Sequence, residues 1–89
     1  MTKEEATEKA RQDLARRLGI PESQISDQSV SDSDFPDMAL GAATSGEMSG
    51  QMISKGWRIQ LKAGSQKYEY RADKSQLRLY QFKGKNYKI

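Results

Sequence analysis

Two carboxylates three residues apart, Asp34 and Asp37, bracket the aromatic–proline step Phe35-Pro36. A pair of acids can divide acid and base roles if their surroundings push their pKa values apart. That requires a substrate pocket and positioned helpers, and the sequence offers neither. The chain has no histidine and no cysteine, so the commonest general base, the commonest metal ligand and any thiolate nucleophile are all absent. Asp27, Asp32, Asp34 and Asp37 do not follow the oxygen-ligand spacing of a calcium loop. The expectation is therefore no catalytic residue, no metal and no cofactor.

A second set of chemically capable residues sits at alternate positions later in the chain. Arg58, Gln60 and Lys62, then Lys67, Glu69 and Arg71, then Arg78, Tyr80 and Phe82 would share one face of a sheet. Cations with two interleaved rings are what single-stranded nucleic acid binds, charge for phosphate and rings for bases. Only two aromatics are present, and no RNP-type motif accompanies them. A solvated basic face that guards the sheet against aggregation, or a surface for a protein partner, fits the same residues.

The elements that must position these residues are legible. Thr2 with Glu5 three residues later is a capping box, and Ala6, Ala10, Leu14 and Leu18 recur every four residues. Gly19 and Pro21 close a helix over about 3–18. Residues 24–33 are polar with isolated Ile25 and Val30, and read as a loop into a short edge strand near 28–33. Gln51-Met52-Ile53 reads as a further short strand. From Gly56 onward Trp57, Ile59 and Leu61, then Tyr68 and Tyr70, then Leu77 and Leu79 alternate with polar residues. They predict a β-meander over about 51–82, with a short tail at 83–89 that either adds an edge strand or frays. The helix stripe and the apolar face of the meander must bury each other. The expected fold is α+β, with one N-terminal helix packed on a mainly antiparallel sheet of about four strands in two layers. A chain of 89 residues makes one domain.

Between these halves lies an irregular segment, about 34–50, too apolar for a linker and too broken for a regular element. Asp37 is placed to hold the amides that follow it, and Gly41 supplies a conformation closed to other residues. Phe35, Met38 and Leu40 can turn inward and plug the open side of the sheet; alternatively, the acids of the loop can face a cationic partner. The charge distribution is lopsided. Residues 1–21 carry five basic and four acidic side chains, a net +1. Residues 22–47 carry six acids and no base, and residues 48–89 carry ten bases and two acids, net −6 and +8. These opposite segments can attract each other within one molecule or between two.

The run Asp13-Leu14-Ala15-Arg16-Arg17-Leu18-Gly19-Ile20, then Phe35-Pro36-Asp37-Met38-Ala39-Leu40-Gly41, then Gly46, Gln51, Gly56-Trp57-Arg58-Ile59-Gln60-Leu61, Gly64 and Tyr68-Glu69-Tyr70-Arg71 resembles a family of small, uncharacterised bacterial domains frequent in cyanobacteria. Phe35 stands where that family has tryptophan, Ala42 where it has cysteine, and Arg71 where it has histidine. No role of that cysteine or histidine transfers to this chain. A weaker similarity, in Gly56-Trp57-Arg58-Ile59, Tyr68-Glu69-Tyr70 and Asp73, is to PepSY-like domains, which implies a helix on an antiparallel sheet and an accessory or inhibitory binding role.

No apolar run reaches the roughly 18 residues of a membrane span, and the first residues lack the apolar stretch of a signal peptide. The expectation is a soluble, cytoplasmic, non-enzymatic binding domain, monomeric or weakly self-associating, with a protein partner. Nucleic acid is the alternative. The candidate interaction residues are Asp34, Phe35, Asp37, Arg58, Lys62, Arg71, Arg78, Tyr80 and Phe82.

Overall fold

The computed structural model describes residues 1–89. Helix α1 spans Lys3–Leu18. Its first turn is closed by both halves of the capping box: the Thr2 hydroxyl accepts from the Glu5 amide at 3.1 Å, and the Glu5 carboxylate accepts from the Thr2 amide at 2.7 Å. Gly19, at φ 67°, ends it in the left-handed conformation. A short 3-10 turn, Glu22–Gln24, leads into the sheet.

Five strands follow: β1 (Ile25–Phe35), β2 (Ser54–Ala63), β3 (Gln66–Ala72), β4 (Leu77–Phe82) and β5 (Lys85–Lys88). They pair in chain order, each antiparallel to the next. The expected α+β architecture is present, with five strands in place of about four. β1 is eleven residues long, well beyond the short strand expected near 28–33. Its Ser/Asp composition hides it, because both faces of an edge strand here are polar. β2 begins at Ser54, so Gln51-Met52-Ile53 is not a strand, and the tail does add an edge strand, β5.

The main core lies between α1 and the sheet. Ala6, Ala10 and Leu14 meet Ile25, Ile59, Leu61, Tyr70, Ala72, Leu77 and Leu79. Alanine at two of the three helix positions lets the helix axis come close to the strands. One polar group is built into this layer. Asp13 is buried and accepts from the Tyr70 hydroxyl at 2.7 Å and from Arg17 Nε at 2.6 Å. Burial, followed by the Asp13 hydrogen bond, holds the Tyr70 phenol far above its ordinary value.

Part of the charge asymmetry is absorbed between helix and strand. Lys3 pairs with Asp32 at 2.9 Å, and Arg11 pairs with Asp27. No helix is long and apolar enough to cross a membrane.

Candidate functional site

The sheet face opposite α1 is where most of the candidate residues fall, and it is not open. β1 ends at Phe35 with its ring on this outer face, and residues 36–53 then cross back over the sheet before β2 starts. Asp37 initiates the crossing as its residue type predicts: one carboxylate oxygen accepts from the amides of Ala39 and Gly41, both at 2.9 Å. Leu40 and Gly41 take φ of 59° and 67° in succession. For a bulky residue such as Leu40 this region is costly. It turns the side chain into the sheet, where Phe35, Ala39, Leu40 and Ala42 are all buried apart from the helix-side core. Gly41 fits only without a Cβ, which would lie 2.7 Å from Arg71 Nη1.

The sheet grips this loop by its backbone. The carbonyl of Met38 accepts from Gln76 Nε2 at 2.8 Å, that of Leu40 from Arg71 Nη1 at 3.0 Å, that of Ala42 from Arg78 Nη1 at 3.3 Å and that of Ala43 from Asn86 Nδ2 at 2.9 Å. Four side chains from β3, β4, β5 and the turn before β4 thus satisfy four carbonyls that no regular element pairs. Arg78 also holds Glu47 through two parallel bonds, 2.6 and 2.7 Å. Those bonds, with the Thr44 amide, pull the Glu47 carboxyl down from 4.5 to about 2.

Arg71 is central to the face. Its guanidinium lies 3.6 Å from the Tyr80 ring centroid and 5.2 Å from that of Phe35, and its Nε donates to Glu69 at 2.8 Å. Arg58 approaches the other side of the cluster, 5.7 Å from the Phe35 ring. Its Nε is 3.4 Å from Glu69 Oε2, close enough for charge attraction but aimed so that no hydrogen bond forms.

Six of the nine candidates therefore converge: Phe35, Asp37, Arg58, Arg71, Arg78 and Tyr80. Three do not. Asp34 alternates onto the other face, opposite Lys55, beside Asp32, Trp57, Asp73 and Lys74, so it forms no carboxylate pair with Asp37. Lys62 stands exposed at the far end of the outer face, directly across from Lys67. Phe82, expected next to Tyr80 on the outer face, is on the helix side. A register shift between Leu79 and Phe82, with Gln81 at φ 52°, turns it over. There it packs with Tyr68 and Tyr87, ring centroids 5.9 and 6.1 Å away, and Arg17 covers Tyr87 at 4.5 Å.

Two further expectations are corrected. Arg78 is not on a solvated surface; it is 3% exposed, beneath the loop. Met38 does not turn inward with Phe35 and Leu40 and is 51% exposed, because its amide and carbonyl are both tied down, to Gly50 and Gln76. Glu47, Gln76 and Asn86 were not singled out by sequence reasoning. Only Glu47 left a trace, as the one acid between Asp37 and Glu69.

The loop's outer rim carries the large apolar side chains that the fold leaves uncovered. Met48 is 97% exposed, Ile53 73% and Met52 67%, with Met38 beside them in the chain's path. Residues 48–54 carry no charge at all.

Residues 7–80 match a family described as a domain of unknown function, DUF8738, and the chain belongs to that family. The match takes in most of α1, the strands β1–β3, the crossing loop and β4 as far as Tyr80, and leaves β5 outside. No curated protein and no solved structure matches the chain.

Proposed function

We propose that this domain is a non-catalytic binding module that engages a protein partner through the rim of the crossing loop. The observation that carries the reading is the uncharged run 48–54, in which Met48, Met52 and Ile53 stand exposed on a loop that the sheet holds in place. Apolar side chains clustered on a rigid support fit a partner that offers an uncharged apolar groove. Burying each one contributes roughly 1.5–3 kcal/mol. The proposed PepSY-like accessory role is compatible with such a surface.

A non-enzymatic role is supported by the separation of Asp34 from Asp37 and by the commitment of Asp37 to loop amides. The nucleic-acid alternative loses support because Arg71 and Arg78, two of its principal cations, are spent on the chain's own loop. A cytoplasmic location is part of the same proposal and rests on the sequence alone.

The test is capture of partners by the immobilised domain, alongside a Met48→Ser/Met52→Ser/Ile53→Ser variant and a Lys62→Glu/Lys67→Glu variant. One protein retained by the wild type and the lysine variant, but lost by the rim variant, is expected. Material that disappears with nuclease, or that binds the rim variant equally well, would overturn the reading.

A further inference from the structure

Three of the four methionines lie within fifteen residues on one loop, in a chain with no cysteine or histidine. The Met38 amide donates to the Gly50 carbonyl at 2.9 Å, and the Met38 carbonyl is held by Gln76, so the backbone at Met38 is fixed on both sides. The Met38 sulfur rests against Gly50, so closely that a Cβ added there would sit 2.6 Å from it. Gly50 is the midpoint between Met48 and Met52. Two residues of extended chain span at most about 7 Å, and a methionine side chain has three free torsions with which to cover that distance. Both exposed thioethers can therefore fold back onto the anchored one.

We propose that Met38, Met48 and Met52 form an all-thioether site for a soft monovalent metal ion, Cu(I). Thioether sulfur is a soft, neutral donor and favours Cu(I) over hard divalent cations. The surroundings sharpen that preference. Glu47, the only acid between Met38 and Ile53, is committed to Arg78 and offers no oxygen ligand. Three sulfur ligands suit a three-coordinate ion, and Gly50 leaves room for the anchored sulfur because it has no side chain. The site shares Met48 and Met52 with the protein-docking reading, and Ile53, which serves only docking, separates the two.

The test is an anaerobic titration of the purified chain against Cu(I) held by a chromogenic chelator, with one ion per chain expected to transfer. Met48→Leu and Met52→Leu should each weaken uptake by at least about tenfold, the scale seen when metal-site residues are altered. Leucine nearly conserves volume at exposed positions, so folding is retained. Gly50→Ala should displace the Met38 sulfur and weaken uptake while leaving circular dichroism and Tm unchanged. Thioethers carry no proton, so affinity should stay flat from about pH 5 to 8, unlike that of amine, imidazole or thiol sites. Ile53→Ser should leave metal uptake intact even where it abolishes protein capture. The proposal is overturned if the Met38→Leu/Met48→Leu/Met52→Leu variant takes up the ion as tightly as the wild type. It is also overturned if the chelator keeps all the Cu(I), or if uptake follows the titration of the N-terminal amine.

Discussion

The two faces of this sheet are covered by different physics. On one face α1 lays an alanine–leucine stripe across Ile59, Leu61, Tyr70 and Leu79, and the adhesion is apolar area. On the other, residues 36–53 are held by Gln76, Arg71, Arg78 and Asn86, each bonded to a loop carbonyl, and by the Arg78–Glu47 pair. Area is tolerant of small displacements. Directed hydrogen bonds are not, because an unpaired buried donor costs more than the bond itself contributes. The helix face thus supplies stability, while the loop face fixes one conformation of a segment that has little regular structure of its own.

The largest effect should come from the helix face. Leu14→Ala opens a cavity under the helix and should cost about 2–5 kcal/mol, read as a drop in the urea midpoint with the whole chain unfolding in one step. If the loop unfolds separately while the helix persists, the two faces are not sharing one cooperative core. Next comes the buried ion pair, where an asymmetry is expected. Glu47→Ala strands the Arg78 cation beneath the loop and should cost about 3 kcal/mol. Arg78→Met leaves Glu47, which is closer to water, and should cost less. The double variant should recover part of the Glu47→Ala loss. Equal single-variant losses that simply add would show that the pair is not coupled. Smaller again is Gly41→Ala, which forces a side chain into φ 67° and against Arg71. It should cost about 1–3 kcal/mol and disturb Arg71–Tyr80 stacking, whereas Gly19→Ala, with open space around it, meets the backbone penalty alone.

The contrast between the faces also decides what could be read in the sequence. Thr2, Glu5 and Gly19 act within one or two turns, and the alternation of Trp57, Ile59 and Leu61 is local, so the helix and the meander were legible. Phe35, Leu40 and Asp37 signalled a plug with a turn, and that is what they build. The remainder depends on pairings across long stretches of chain. Arg78 reads as a surface residue until Glu47, 31 positions away, is placed over it. Phe82 follows the alternation of Arg78 and Tyr80 on paper, away from Leu77 and Leu79, but Gln81 and Lys83 adopt positive φ without being glycine, and nothing local announces the bulge. β1 escaped full recognition because Ser29, Ser31 and Ser33 lie on its outer side while Asp32 and Asp34 lie on the other, leaving no apolar alternation to detect.

The gentlest way to separate the faces is acid. Glu47 titrates near 2 in the folded protein, against 4.5 for an ordinary glutamate, because Arg78 and the Thr44 amide favour its charged form. A carboxyl whose folded pKa is lowered contributes stability that is complete above its unfolded value and fades as pH falls towards the folded one. The loop should therefore loosen between about pH 4.5 and 2. Amide exchange and methyl shifts at Ala42 and Ala43 should report this, while Leu14 and Leu79, in the apolar helix-side core, should move only when the whole domain does. Glu47→Gln should already be loosened at pH 7 and should lose most of the loop's acid response. If the loop amides of Glu47→Gln still follow the wild-type acid profile, another carboxylate holds this face. Asp37, which bridges two amides of the same loop, would then be the group to substitute next.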